Sequence, residues 1–142
     1  MELDHIYTEI IIEQSNSKKN KRDLEHPSVV SEGKNPSCGD EITLQLLIKD
    51  GIIADASFNG VGCAISQASS SIMIDLVKGK STEEAGKLAD LFISMIQRKV
   101  TDDSELEPLE DAVALRNISN MPSRVKCATM PWHTLLHAIR ET

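Results

Sequence analysis

The chain has 142 residues, of which 40% are hydrophobic and 26% charged, which is typical of one globular domain and argues against wholesale disorder. Its 15 basic and 22 acidic residues give a net charge of −7, so nucleic acids and anionic membranes are not expected as partners. The acidic N-terminus and the lack of an apolar run of ~18 residues argue against a signal peptide or membrane helix, so we expect one cytoplasmic domain over residues 1–142.

The N-terminal part of the chain predicts a helix followed by an irregular segment. Apolar residues recur at helical spacing over residues 3–14, at Leu3, Ile6 and Ile10, which predicts a short amphipathic helix. Residues 15–28 are polar and include a run of lysine and arginine, which is typical of a solvated surface. They predict a flexible loop within the domain.

A β-hairpin is predicted in the next part of the chain. Apolar and polar residues alternate over 41–49 and again over 52–59, which is typical of strands with one buried face. Asp50-Gly51 between them is a hairpin turn signal, because glycine adopts positive φ at no steric cost. Val29-Val30 indicates a third strand upstream. One face of the hairpin is expected to carry Ile42, Leu44, Leu46 and Ile48 from the first strand and Ala54, Ala56 and Phe58 from the second.

A helix is predicted from Cys63 to Lys78-Gly79, where glycine commonly follows the last helical turn. Its apolar residues recur at helical spacing, at Ile65, Ala68, Ile72 and Leu76. The remaining positions include four serines that we expect on the helix surface: Ser66, Ser69, Ser70 and Ser71.

Three more helices are predicted after residue 80. The capping box Ser81-Thr82-Glu83-Glu84 opens the first of them. Residues 111–118 predict another, after the acidic residues 100–110, and residues 127–140 predict the last, where Pro131 is tolerated only in the first turn. The order of one helix, strands and then helices predicts an α+β fold, a small antiparallel sheet of about three strands covered on one face by helices.

Three cysteines, Cys38, Cys63 and Cys127, each lie at the boundary of a predicted element. An odd number cannot form a closed set of disulfides, so in a reducing compartment they are buried thiols, metal ligands or nucleophiles. Cys63 and Cys127 each open a predicted helix, where the helix dipole favours the thiolate by lowering the thiol pKa. Arg124 and Lys126 are expected to act in the same direction on Cys127.

The residues around the cysteines are compatible with a metal site that only the fold could assemble. No Cys-x-x-Cys pair is present, so the spacing leaves three unrelated buried thiols as an open alternative. Gly39 and Gly62 allow the backbone to bend tightly beside a bound centre. Asp40 could reach the same ion as Cys38, and three thiolates with one carboxylate would close a tetrahedral site for Zn²⁺ or hold an iron–sulfur centre.

His133 and His137 are a weaker candidate for metal binding. They are four residues apart on the last predicted helix and therefore share a face. No glutamate stands between them as it does in the metalloprotease helix motif, so the pair has no further support in the sequence.

Three cysteine motifs give the chain a resemblance to a known family. The motifs are Asn35-Pro36-Ser37-Cys38-Gly39-Asp40, Gly60-Val61-Gly62-Cys63-Ala64-Ile65-Ser66 and Arg124-Val125-Lys126-Cys127. In this order, and in one register over residues 3–140, they resemble the motifs of the U-type iron–sulfur cluster assembly proteins, the IscU, SufU and NifU N-terminal scaffolds. The resemblance implies a SufE/NifU-like fold and a function in iron–sulfur cluster assembly.

The resemblance also implies a site, a cofactor and partners. It places Cys38, Asp40, Cys63 and Cys127 around Zn²⁺, or around iron or a transient [2Fe–2S] cluster. It implies a cysteine desulfurase of the SufS type that delivers persulfide sulfur to Cys38 by thiol–persulfide exchange, with downstream cluster-assembly or apo-acceptor proteins as recipients. Four residues are expected to support the site: Gly39, Gly62, Arg124 and Lys126. We expect a monomer or a weak homodimer.

Two departures from the classical scaffold pattern resemble the SufU branch. Lys126 stands where the classical scaffold has a histidine before its last cysteine, and an ammonium group has no lone pair for a metal. The segment Met121-Pro122-Ser123-Arg124-Val125-Lys126 lacks the paired prolines of the classical chaperone-binding segment. Lys126 favours a zinc-dependent sulfur acceptor over a histidine-ligated cluster, and the missing prolines argue against a dedicated Hsp70-type chaperone as partner.

Four hypotheses therefore remain open at the level of sequence. The chain is a zinc-dependent, sulfurtransferase-type partner that accepts persulfide sulfur from a desulfurase, or a scaffold on which a [2Fe–2S] cluster is assembled and transferred to apo-proteins. A third possibility is a non-catalytic module in which Zn²⁺ only staples the fold. The last is a protein with three unrelated buried thiols and no metal.

Overall fold

The computed structural model of the protein describes residues 2–142, and the side chains from residue 9 onwards. In chain order the elements are α1 (Glu2–Asn16), β1 (Val29–Asn35), β2 (Asp40–Lys49), β3 (Ile52–Val61), α2 (Ala64–Val77), α3 (Thr82–Ile96), α4 (Asp103–Leu106), two 3-10 segments (Glu107–Asn120 and Pro122–Arg124) and α5 (Val125–Arg140). The predicted α+β fold is confirmed. No helix within residues 2–142 is long and apolar enough to cross a membrane.

Helix α1 covers the predicted range 3–14 and continues to Asn16. Ile10 is partly buried against the core, whereas the predicted face residues Leu3 and Ile6 lie outside the described side chains. The helix packs along α2. Its hydrophobic contacts therefore join the N-terminal part of the chain to the helical layer.

The three strands form one antiparallel sheet in the order β1-β2-β3. Asp50 (φ 53°) and Gly51 (φ 76°) both have the left-handed conformation of the hairpin turn that the Asp-Gly pair predicted. At the other end of β2, Asn35 pairs with Asp40 and closes the β1–β2 ladder. Cys38 therefore lies in a short loop whose two ends are both held by the sheet.

A register shift in the β2–β3 ladder changes which residues of β3 face the core. The ladder is irregular between Leu47 and Ile48. Ile53 is fully buried and Ala54 is exposed, so the predicted alternation is wrong at these two positions, although Phe58 is buried as predicted. A bulge shifts the register, and side chains on either side of it then point to opposite faces.

The helices cover the sheet and enclose a core made mainly of aliphatic residues. The capping box is confirmed, because the hydroxyl of Ser81 accepts a hydrogen bond from the N–H of Glu84 at 3.0 Å. Phe92 of α3 stacks on Trp132 of α5, with ring centroids 4.1 Å apart. This stack holds α3 against α5, the helix that carries the last cysteine.

The serines of α2 are buried, so their predicted position on the helix surface is wrong. The helix packs against α1, α5 and β3, which leaves little of its surface in contact with solvent. Small side chains allow these elements to approach closely, and buried hydroxyls require partners. The partners are Asp40 and the Cys63 carbonyl for Ser66, the Ala128 carbonyl for Ser69, the Ser66 carbonyl for Ser70, and Gln14 for Ser71.

The chain between α3 and α5 is more regular than predicted, and α5 begins earlier. The predicted helix over 111–118 is a 3-10 segment that begins at Glu107 and has a kink at Glu110 (φ 49°). Because α5 begins at Val125, Pro131 lies in its second turn, and its predicted place in the first turn is wrong. Proline has no N–H, so it cannot give the carbonyl of Cys127, four residues earlier, the usual helical hydrogen bond.

Of the predicted loop 15–28, residues 15 and 16 belong to α1, whereas residues 17–28 have no helix or extended strand, as predicted. Part of this segment is held against the sheet. Asn20 is 1% exposed, and its carbonyl accepts a hydrogen bond from the N–H of Phe58 at 2.9 Å. Arg22 forms an ion pair with Asp55 of β3. The prediction of a flexible loop is therefore corrected for residues 20–22, because these contacts tie them to β3.

Candidate functional site

Three cysteines from separate parts of the chain meet beside the closed end of the β1–β2 ladder. Cys38 lies in the β1–β2 loop, Cys63 directly precedes α2, and Cys127 is in the first turn of α5. One ligand atom each from Cys38, Asp40 and Cys127 lie within 4.8 Å of one another, the only such group found among the described side chains. Cys63 lies outside this group, and its side chain interacts with that of Cys127.

The three cysteines differ in their exposure to solvent. Cys127 is fully buried, whereas Cys38 and Cys63 are partly exposed. The thiol of Cys38 donates a weak hydrogen bond to the carbonyl of Ser123, 3.7 Å away, in the turn that precedes α5. A partner can therefore reach Cys38 from solvent, while Cys127 forms the floor of the site.

The carboxylate of Asp40 is the hub of the site. It is 2% exposed, and Oδ1 accepts hydrogen bonds from the N–H of Cys63 (2.8 Å) and the hydroxyl of Ser66 (3.2 Å). Burial alone would raise the pKa of Asp40, but these two hydrogen bonds, together with those of Asn35 and Cys127, lower it below the ordinary value. Asp40 is therefore an anion that also binds the N-terminus of α2, whose N-cap residue supplies no side-chain hydrogen bond.

Gly62 and Gly39 shape the site in different ways. A Cβ atom at Gly62 would lie 2.6 Å from Oδ1 of Asp40, so only glycine allows the backbone to pass this close to the carboxylate. Gly39 has a φ of 69° and open space around its Cα, so glycine is needed there for the turn itself. Gly62 thus allows the backbone to pass close to the carboxylate of Asp40.

Asn35 and Ser66 contact the predicted ligands and were not identified as site residues from the sequence. The amide Nδ2 of Asn35 donates to Oδ2 of Asp40 at 3.2 Å and to Sγ of Cys127 at 3.5 Å. Asn35 is part of the first cysteine motif, so its place in the motif was a usable signal. Ser66 lies one helical turn after Cys63 and is the last residue of the second cysteine motif, so the motif was a usable signal for Ser66 as well.

The expectation of a lowered thiol pKa at Cys127 is wrong for this environment. Burial raises the pKa of Cys127 well above its usual range, and its interactions with Cys38, Asp40 and Cys63 shift it in the same direction. Cys127 lies inside the first turn of a helix, and its burial is the largest influence on its pKa. Its thiolate therefore needs a compensating positive charge.

Arg124 supplies one positive charge at the edge of the site. Its side chain hydrogen-bonds with Cys127, and the nearby Cys63 and Cys38 act in the same direction, so the pKa of the guanidinium is raised. Arg124 belongs to the 3-10 turn that contacts Cys38 through Ser123. Its predicted supporting position is thus compatible with the geometry.

Lys126 and the two histidines border a cleft of about 420 Å³ between β1 and α5. His133 and His137 are both exposed, and Nε2 of His137 lies 2.7 Å from a carboxylate oxygen of Glu141. No group of three metal ligands within residues 9–142 includes either histidine. Lys126 is exposed at the same cleft, one residue before the buried Cys127.

A buried chain of hydrogen bonds joins α5, near Cys127, to α2. The indole N–H of Trp132 donates to Oγ of Ser69 at 2.8 Å, and this hydroxyl donates to the carbonyl of Ala128 at 2.6 Å. All three residues are fully buried. The chain fixes the first turns of α5 against α2 and so sets the position of Cys127 relative to Cys63.

The donor set fits a zinc ion. Three thiols and one carboxylate are the number and kind of donors that Zn²⁺ takes in tetrahedral sites, and thiolates also hold iron–sulfur clusters. Deprotonated thiols beside the Asp40 anion would concentrate negative charge in a largely buried volume. A buried charge without a partner is costly, so this cluster requires a cation more strongly than a neutral hydrogen-bond network would.

Sequence comparisons relate the chain to one family. The model of the NifU-like N terminal domain matches residues 6–141. A protein of Thermotoga maritima named iron-sulfur cluster assembly scaffold protein IscU is 40% identical over 136 residues, which cover 96% of this chain and 94% of that protein. A protein of Bacillus subtilis named zinc-dependent sulfurtransferase SufU is 41% identical over 133 residues, which cover 94% of this chain and 88% of that protein.

Structural comparisons give the same relationship. A crystal structure from Fervidobacterium islandicum, described as a putative iron-sulfur cluster assembly scaffold protein for the SUF system, superposes with a TM-score of 0.86 at 41% identity. The match covers 95% of this chain and 97% of that one. A NifU-like N-terminal structure from Brucella abortus, at 22% identity, shares the fold with a TM-score of 0.80 over 99% of this chain and 96% of that one.

Proposed function

The chain belongs to the family of NifU-like N-terminal domains and takes part in iron–sulfur cluster assembly, and we propose that it acts there as a zinc-dependent acceptor of persulfide sulfur. One observation carries the proposal. A partly exposed thiol, that of Cys38, lies within 4.8 Å of the buried donors Asp40 and Cys127. A reactive group at the mouth of a buried anionic site is the arrangement that a sulfur acceptor requires.

The proposed zinc ligands are Cys38, Asp40, Cys63 and Cys127. Three of them form the compact group of donor atoms, and Cys63 joins them through Cys127. The similarity to a protein named zinc-dependent, at 41% identity, supports zinc as the resident metal. Lys126 supports it further, because the position that is histidine in classical scaffolds carries no metal-binding lone pair in this chain.

The proposed reaction is thiol–persulfide exchange at Cys38. The Cys38 thiolate forms a bond to the outer sulfur of a protein persulfide, the S–S bond to the donor cysteine breaks, and that cysteine leaves as a thiolate. The outer sulfur keeps its proton, so the products are a Cys38 persulfide and the free donor. When bound, zinc would keep the thiols of the site deprotonated until the partner docks.

The proposed donor is a cysteine desulfurase of the SufS type, and the proposed recipients are cluster-assembly or apo-acceptor proteins. The sulfur-transfer chemistry itself requires a donor that carries persulfide. Cys38 lies in a loop whose ends, Asn35 and Asp40, are held by the sheet, and its thiol is partly exposed, so it can meet a donor without disturbing the core. We propose a cytoplasmic location, where thiols remain reduced.

A second candidate function is that of a scaffold for a transient [2Fe–2S] cluster. The 40% identity to a protein named as an IscU scaffold favours it, and the same four donors would serve as ligands. The two functions differ in the resident metal. Protein purified without chelator or reconstitution should contain about one zinc per chain for the sulfur acceptor, and iron with acid-labile sulfide for the scaffold.

The substitution Cys38→Ser tests the acceptor assignment. We expect the variant to lose stimulation of a cysteine desulfurase down to the background rate, because a serine hydroxyl cannot accept persulfide sulfur. Its circular dichroism spectrum and melting should show a folded protein, since Cys38 is a loop residue outside the core. Turnover of cysteine by the desulfurase and the labelled persulfide on the acceptor are the measurements.

Ser37→Ala, in the exposed neighbour of Cys38, is the matched control and should retain full stimulation. A Cys38→Ser variant with full stimulation would refute Cys38 as acceptor. A variant that unfolds would instead favour the hypothesis that zinc only staples the fold.

A further inference from the structure

Asn35 lies where the loop of Cys38 meets the floor of the site. It is the last residue of β1, is 4% exposed and pairs with Asp40 across the ladder. Residues 36–39 between the pair form the loop that carries Cys38. A movement of Asn35 would therefore shift both Cys38 and Asp40.

The side-chain amide of Asn35 donates hydrogen bonds to two of the proposed ligands. Its Nδ2 lies 3.2 Å from Oδ2 of Asp40 and 3.5 Å from Sγ of Cys127. A primary amide has two N–H bonds on this nitrogen, so it can serve both acceptors. The two acceptors, Asp40 of β2 and Cys127 of α5, are 87 residues apart in the chain.

The other contacts of Asp40 make Asn35 the group that orients Oδ2. Oδ1 is already used by the N–H of Cys63 and the hydroxyl of Ser66, both at the start of α2. Oδ2 accepts from Asn35, and one oxygen of this carboxylate lies within 4.8 Å of the sulfurs of Cys38 and Cys127. Asparagine suits this place because it is a neutral double donor, whereas a lysine would add a cation that competes with a metal.

We infer that Asn35 is a positioning residue for the metal site, which sets the distance and orientation of Asp40 relative to Cys127. The inference rests on the proposed function, since it concerns the same ligands. Asn35 contacts the ligands and not the metal. Groups that hydrogen-bond metal ligands typically change metal affinity by ~10–100-fold when they are removed, and we expect a loss of this size for Asn35→Ala.

The test is a competition titration of zinc-loaded protein with a chromogenic chelator, together with the absorption spectrum of the cobalt-substituted protein. In Asn35→Ala we expect weaker zinc binding and altered d–d and thiolate-to-cobalt bands, because Asp40 and Cys127 are no longer held in one geometry. Asn35→Ser keeps one hydroxyl donor and should have an intermediate affinity. This second variant also serves if Asn35→Ala does not fold.

Asn20→Ala is the matched control. Asn20 is also buried and also donates to an aspartate, Asp75, but it lies outside the group of proposed ligands. The control should lose stability and keep the wild-type zinc affinity and cobalt spectrum. Equal zinc affinity in Asn35→Ala and wild type, or an equal loss in Asn20→Ala, would overturn the inference. Wild-type protein that binds no zinc would overturn the proposed function as well, so the two failures are distinguishable.

Discussion

Helix α2 carries a polar cluster on each of two flanks, and the clusters are built alike. In both, a buried asparagine donates to an aspartate and a serine of α2 joins the network. The metal-site cluster consists of Asn35, Asp40, Ser66 and the three cysteines. The loop clamp consists of Gln14, Lys19, Asn20, Ser71 and Asp75.

The two clusters differ in charge and in burial. In the loop clamp, the ammonium of Lys19 lies 3.0 Å from Asp75, whose side chain is 34% exposed, so its charge is balanced within the cluster and by solvent. In the metal-site cluster, Asp40 is 2% exposed and the side chains grouped with it are neutral amide, hydroxyl and thiol groups. The same arrangement of amide, carboxylate and hydroxyl thus has a balanced charge in the loop clamp, whereas the metal-site cluster requires a cation.

Removal of zinc should give the largest effect, and only through the metal-site cluster. A ligand present at 1,000 times its dissociation constant stabilises a fold by about 4 kcal/mol. For a chain of this length each kcal/mol is worth about 2–4 °C, so chelation should lower the melting temperature by about 8–16 °C. Differential scanning calorimetry of wild type with and without chelator measures the shift.

The variant Asp75→Asn should show the same chelator-induced shift from a different starting temperature, because the loop clamp binds no zinc. A shift of less than a degree in wild type would contradict the need for a cation at the metal-site cluster.

The second-largest effect is expected from Asp40→Ala and Asp75→Ala, which should distinguish the two clusters by their zinc retention. Both remove a carboxylate that accepts hydrogen bonds at α2, so each should destabilise the metal-free protein by about 1–3 kcal/mol. Only Asp40→Ala should also weaken zinc retention. Denaturant unfolding and chelator competition on both variants give the two quantities, and unchanged zinc affinity in Asp40→Ala would show that Asp40 is not a ligand.

Acidification should produce the smallest effect, at the ion pair that joins Arg22, in the segment that also carries Lys19 and Asn20, to Asp55 of β3. A hydrogen bond from Arg22 lowers the pKa of Asp55 to about 2, with burial opposing and Lys78 assisting. The folded-state pKa is below the unfolded value, so this pair stabilises the protein above pH ~4 and the contribution is lost as pH falls towards ~2. Because both side chains are partly exposed, about 1 kcal/mol is expected.

The measurement is the pH dependence of unfolding for metal-free wild type and Asp55→Asn, with Asp90→Asn at an exposed position of α3 as control. The stability of Asp55→Asn should fall less steeply between pH ~4 and ~2 than that of wild type. Parallel curves for the two proteins would refute the contribution of this ion pair.

Much of the fold was predictable because its signals are local. The Asp50-Gly51 turn and the Ser81 cap involve residues within four positions of each other, and both were confirmed. The errors arose where distant elements decide. Ile53 is buried because the β2–β3 ladder is irregular, and the serines of α2 are buried because α1, α5, β3 and the 3-10 segment Glu107–Asn120 surround that helix.

The candidate site was predictable in its residues and less so in its environment. The cysteine motifs identified the candidate donors, since motif residues and their order are visible in one dimension. The raised pKa of Cys127 was not predictable, because it follows from burial and from the side chains of Cys38, Asp40 and Cys63, which lie far from Cys127 in the chain. The role of Asn20 in anchoring the predicted flexible loop was likewise invisible.

The sequence by itself determined the elements, the family and the residues that bring sulfur and oxygen donors to a site. Turns, caps and hydrophobic periodicity depend on neighbours in the chain, so they can be recognised without a structure. Only the tertiary structure decided how the donors are held. Asn35 and Cys127 are 92 residues apart, and their contact exists because β1 packs against α5. Charge, burial and donor geometry are properties of such contacts, and no local pattern contains them.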